Sequence, residues 1–157
     1  MERKYLPTFA ELIDRLSIVI LKSIFIPENK EAYEQEQTLI MHDIDALLHE
    51  RVDKAGHFSA PVVVSAKMIR AMMIVMLTNR YIWENESKAR TGGSEQDKLL
   101  KLTHSINGIR NTAKNVIAQE MGERVDLKID ALAAELTKEF GNWNVNWDLK
   151  LQNIKKQ

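Results

Sequence analysis

An all-α protein, an up-and-down bundle of about five helices with a C-terminal extended arm, is the fold class this sequence predicts. Three observations point there. Apolar residues recur three and four apart over long stretches, only three prolines and six glycines interrupt them, and no early stretch shows the two-residue alternation of a strand. A chain of 157 residues fits one domain with a sizeable core. Residues 1–141 are expected to form the bundle and residues 142–157 the arm.

The first helix begins after Thr8, with Glu11 three residues on as the other half of a capping box. Its apolar side is Phe9, Leu12, Ile13, Leu16, Ile20 and Ile24, and Ile18, Leu21 and Phe25 give it a second one. A surplus apolar side is the reason to expect a homodimer. Pro27 ends the helix.

Residues 28–54 read as one long amphipathic helix with the stripe Tyr33, Ile40, Met41, Ile44, Leu47, Leu48 and Val52, stopped at Gly56. After a linker at 56–61, a third helix runs over about 61–90 and is so apolar at 66–77 that it must be enclosed. Val62, Val63 and Val64 also fit a short extended piece. Thr91, Gly92, Gly93 and Ser94 form a turn, and Ser94 with Asp97 resembles a second capping box.

The fourth helix buries Leu99, Leu102, Ile106, Ile109, Ala113, Val116 and Ile117. Beyond Gly122, the residues Val125, Ile129, Leu132, Leu136 and Phe140 predict a fifth, which Gly141 ends. In the tail, Trp143, Val145, Trp147, Leu149 and Leu151 alternate with polar residues, the period of an extended arm packed through its tryptophans. The competing reading is a short helix from near Asn146 with Trp147, Leu151 and Ile154 as its face.

Hydrophobic residues at 45% and charged ones at 28% are near globular averages. Lys and Arg number 22 and so do Asp and Glu, a balance that argues against a surface built for nucleic acid or anionic lipid. With no cysteine, disulfides and thiolate zinc sites are excluded. The opening residues lack the apolar core of a signal peptide and no run approaches a membrane span. The expectation is a cytoplasmic protein that binds neither nucleic acid nor membrane.

The candidate site rests on polar residues placed where apolar ones belong. Asn79 and Glu86 fall on the same stripe as Met72, Val75, Met76, Ile82 and Trp83, and an unpaired buried polar group costs roughly 2–7 kcal/mol, so partners must be near. Asn107, Arg110 and Asn111 edge the fourth helix's stripe, and an antiparallel turn at 91–94 brings Trp83 and Arg110 towards each other across it. Glu84 flanks Trp83. A fixed guanidinium among amides and carboxylates suits an internal ion network or a small anionic ligand.

Other sets carry less. Glu11, Asp14 and Arg15 are accounted for by capping, the helix dipole and a Glu11–Arg15 pair at i+4. The carboxylates of Glu31-x-x-Glu34 and Glu50-x-x-Asp53 match the letter of the ExxE...ExxD pattern of all-α nucleotide pyrophosphohydrolases, in which two helices hold magnesium. Here one uninterrupted helix would hold both pairs roughly 24 Å apart, so a solvated face is expected and no metal. His42, Asp45, His49 and Asp53 share a face opposite the apolar stripe, which is also read as solvated. Met68, Met72, Met73 and Met76 read as core filling. No nucleophile, phosphate loop or cofactor is indicated.

The run from Glu11 to Lys22, ELIDRLSIVILK, resembles the opening of small uncharacterised all-helical proteins from T-even-type phages and of bacterial glycosyltransferase-linked domains. Asn79-Arg-Tyr-Ile-Trp-Glu84 and Ile106-Asn-Gly-Ile-Arg-Asn111 look similar to further elements of the same group. The resemblance implies a helical fold and a phage or bacterial origin without a mechanism. It groups Asp14, Arg15, Asn79, Glu84, Arg110 and Asn111 as positions to test together. The function expected is that of an accessory or interaction protein without catalytic activity. The alternative is a ligand-binding or metal-dependent nucleotide-processing protein that uses the internal polar set.

Overall fold

In the computed structural model, which describes residues 6–49, 63–90, 92 and 96–126, the chain is all-α and packs four helices as a bundle. Helix α1 is Phe9–Phe25, a 3₁₀ turn covers Pro27–Asn29, α2 is Lys30–His49, α3 is Ala66–Arg90 and α4 is Gln96–Glu120. The second helix therefore begins after the 3₁₀ turn, because Pro27 fixes a tight entry. The third begins at Ala66, leaving Val63 and Val64 outside it in irregular backbone. Val125 lies in irregular chain after α4. The rest of the expected fifth helix, the C-terminal arm, the end of the second helix and the Ser94 half of the second capping box lie outside the described residues.

Local sequence accounts for the helix ends. Thr8 accepts the Glu11 amide while Glu11 accepts the Thr8 amide, a complete capping box at the start of α1. Glu123, from the chain after α4, adds a third bond by accepting the amide of Phe9 at 2.9 Å. Gly122, at φ 64°, supplies the left-handed turn that ends α4 and brings Glu123 there.

The most extensive packing is between α3 and α4, antiparallel, since Lys67 pairs with Glu120 and Asn79 with Arg110. On α3 the buried positions Met68, Ala71, Val75, Thr78, Ile82, Asn85 and Ala89 alternate steps of three and four, the spacing that seats one helix along another. Helix α1 lies over this pair through Phe9 and Ala10, which join Met68, Val75, Ala113, Ile117 and Met121 in the main core. Helix α2 packs on α1, where Ile40 meets Leu12 and Val19.

Two expectations about burial change. Among the described residues of the stripe expected on α2 only Ile40 is buried and Met41 is exposed, because among the described helices α2 packs chiefly on α1; Val52 lies outside the described residues. Leu21, expected on a surplus face, is 2% exposed: with Ala10, Asp14 and Ser17 it forms the row that α1 turns into the bundle. The second apolar side of α1 is therefore consumed only in part, with Ile18 half-buried and Phe25 44% exposed.

Candidate functional site

The row Ala10, Asp14, Ser17, Leu21 puts two polar residues in the middle of an otherwise buried helix face, and α3 and α4 meet them with matching chemistry. Asn79, 3% exposed, donates from Nδ2 to Asp14 Oδ1 at 2.8 Å and to Ser17 Oγ at 2.6 Å. Its Oδ1 accepts from Arg110 Nη1 at 3.1 Å. Lys114, one turn along α4, places Nζ 3.1 Å from Asp14 Oδ2. The Ser17 hydroxyl donates in turn to the Asp14 backbone carbonyl at 2.8 Å. One carboxylate thus holds an amide and an ammonium on its two oxygens, and the amide in turn holds a guanidinium.

The network has one loose end. Arg110 Nε is buried without a hydrogen-bond partner and stands 4.0 Å from Asp14 Oδ1, near enough for charge attraction and too far for a bond. Two cations thus face one carboxylate, with side chains 23% exposed for Arg110 and 21% for Lys114. Lys114 also lines a cleft of about 420 Å³ between the start of α1 and the end of α4, with Thr8, Glu11, Asn115, Arg124 and Asp126 around it. In that cleft Arg124 pairs with Glu11 at 2.8 Å, and Asn115 exchanges two bonds of 2.8 Å with the backbone of Asp126.

Of the residues singled out in the sequence, the structure joins Asp14, Asn79 and Arg110. Asn111 is half-buried one residue beyond Arg110. Arg15 points away and pairs with Glu36 of α2, while Glu11 takes Arg124, so the expected Glu11–Arg15 pair is replaced by longer-range ones. Glu84 binds Arg80 on its own helix. Trp83 faces Phe25 with ring centroids 6.2 Å apart and Arg110 reaches Asn79, so these two do not form the expected pair.

Glu86 is a correction. It is exposed, 4.0 Å from Arg90, because α3 outlasts its neighbour. At about 1.5 Å per residue the 17 residues of α1 run out while the 25 of α3 continue. Phe25, the last residue of α1, packs at Trp83, and among the described residues α1 does not continue past it to cover Glu86. Asn85 is still buried against α4 and its Nδ2 has no hydrogen-bond partner.

Ser17 and Lys114 were missed. The signal for Ser17 was present in the four-three-four spacing of its row. Lys114 sits one helical turn after Arg110, a phase relation that also carried information. Among the described residues no group of three or more His, Cys, Asp or Glu is placed to hold a metal ion; His42 lies beside Asp43 on the exposed side of α2, and Glu50 and Asp53 are outside the described residues. No described helix is long and apolar enough to cross a membrane. Comparison with known protein families, curated proteins and solved structures finds no match to this chain.

Proposed function

We propose that this chain is a non-catalytic accessory or interaction protein whose bundle holds an outer helix face for a partner. The carrying observation is how the Asp14 carboxylate is occupied: Asn79 and Lys114 bond its two oxygens. A carboxylate so held is unsuited to act as a base or to take a metal ion without first breaking those bonds. The side chains that would have made an internal reaction centre are engaged with one another, and α3 exposes the apolar side chains of Ile69, Met73 and Leu77.

A second reading has its own observation. Lys114 joins the network to the 420 Å³ cleft, and the two cations facing one carboxylate favour a small anion there. Native mass spectrometry of the gently desalted protein, with an assay of magnesium-dependent nucleoside triphosphate hydrolysis, separates the readings. The expected result is the mass of the bare chain and no hydrolysis. A retained anion that disappears in Lys114→Met, or hydrolysis that scales with enzyme and metal, overturns the interaction reading.

A further inference from the structure

Helix α4 carries a third face besides those it turns to α3 and α1. The row Lys101, Ser105, Gly108, Thr112 and Asn115 runs in steps of four, three, four and three, the spacing that seats one helix along another. Ser105, Gly108, Thr112 and Asn115 each come one residue before a member of the buried row Ile106, Ile109, Ala113 and Val116, so this face is turned about 100° away from the core. Among the described helices α4 packs on α3 and α1. Gly108 is nevertheless buried, as is Ser105, and Thr112 and Asn115 are half-buried.

The chemistry of the face suits an apolar helix. The Ser105 hydroxyl donates to the Lys101 carbonyl at 3.0 Å and the Thr112 hydroxyl to the Gly108 carbonyl at 2.9 Å, so both are satisfied within α4 and ask nothing of a neighbour. Gly108 has no side chain to hold another backbone away.

The chain itself is led onto this face. Gly122 turns it back at the end of α4, and Asp126, a residue type that caps helix starts, exchanges two bonds with Asn115, eleven residues earlier. From this pairing we infer that residues 129–140 dock as a helix antiparallel along α4, with Ile129 on Thr112, Ala133 on Gly108, Leu136 on Ser105 and Phe140 on Lys101. The Asp126–Asn115 pair sets that register. Antiparallel helices rise equally per residue, so three, seven, ten and fourteen residues on from Asp126 fall against the same numbers back from Asn115. Each of those positions on the incoming segment is apolar, and alanine meets glycine where the backbones come closest. This inference goes beyond the interaction reading and does not depend on it.

The chain has no cysteine, so introduced pairs report the register in the full chain. Ser105→Cys with Leu136→Cys is expected to give, on mild oxidation, a disulfide within one chain at the monomer mass of 18.1 kDa. Ser105→Cys with Ile129→Cys is the control and gives none. Its two positions are closer in sequence, which favours random encounter, but they stand seven residues out of register, about 10 Å along the helix and beyond the reach of a disulfide.

Gly108→Ala adds a reading that depends on sign. On an open helix face alanine raises the urea midpoint, being the better helix former. Against a docked Ala133 the added methyl overpacks the contact and the midpoint falls, which is the result expected. Equal yields from the two cysteine pairs, no disulfide from either, or a raised midpoint in Gly108→Ala overturns the proposal. A disulfide that joins two chains overturns it as well, and assigns the face to a second copy.

Discussion

At its N-terminal end α3 meets α1 and α4 through Met68, Ala71 and Val75 in a wholly apolar core with Phe9, Ile117 and Met121. One turn further on the same buried side presents Thr78 and Asn79, and two turns beyond those Asn85. The spacing is unchanged and the chemistry is not. The apolar end gains by burial, which is non-directional and tolerates small slips between helices. The polar layer adds bonds that are satisfied only when Asp14, Asn79, Arg110 and Lys114 stand at one height. Thr78 escapes this demand because its hydroxyl donates to the carbonyls of Ile74 and Val75 within its own helix. Burial thus holds the helices together, and the layer specifies how far each is slid along the next.

Substitutions at the two ends separate these contributions. The largest effect is expected at the apolar end, where Met68→Ala opens a cavity at a side chain with no exposure and lowers stability by about 4 kcal/mol in urea unfolding. A loss below about 1 kcal/mol would mean that this end is loosely packed. Asp14→Ala should follow at about 3 kcal/mol, since it removes one of the two acceptors of Asn79 Nδ2 and leaves Arg110 and Lys114 without a counter-charge. Adding Lys114→Met to it should recover part of the loss, and a strictly additive double variant would show that the two groups are not coupled.

Asn85→Leu moves the other way: a buried amide with an unbonded Nδ2 becomes apolar, and stability rises by about 1 kcal/mol. The smallest effect belongs to Arg15→Ala, within about 0.5 kcal/mol, because the Arg15–Glu36 pair lies at the surface.

The same contrast explains what the sequence made legible. The capping box of α1 was readable because both halves lie within three residues and answer to local geometry alone. Most of the α4 stripe was readable because Ile106, Ile109, Ala113, Val116 and Ile117 are apolar and all buried, while Leu99 and Leu102 at its start are only half-buried. Asn79 stood out as a polar residue on an apolar stripe. Arg110 was also marked, at the edge of the α4 stripe, and Asp14 came in with the resemblance; Ser17 was not, because the small and polar row of Ala10, Asp14 and Ser17 looks like a surface until another helix is laid on it. Glu86 was misplaced for a different reason. Helical phase says which way a side chain points, but not where the neighbouring helix ends, and α1 stops before reaching it. The α2 stripe was right in phase and overstated in burial, since a one-sided neighbour covers a narrower strip.

The carboxylate of Glu123 on the first amide of α1 also bears on the order in which the chain folds. That bond joins residues 114 apart in sequence, and the Asn79–Asp14 bond joins residues 65 apart, whereas Asn79 and Arg110 are separated by 31. Closing the α1–α2 hairpin, whose Gln37–Ser23 bond joins residues 14 apart, or the α3–α4 hairpin costs less chain entropy than joining one to the other. The docking of α1 on α3 and α4 is accordingly the later event, and Ile109→Val should slow folding while Phe9→Leu, in the core that α1 shares with them, should mainly speed unfolding; the reverse pattern in stopped-flow kinetics would place that end of α1 in the nucleus. On a ribosome adding about 5–20 residues per second, α1 emerges on the order of ten seconds before the glutamate that caps it. Until then α2 is the neighbour within reach to shield Leu12 and Val19, so α1 is completed only after the chain has been made through α4.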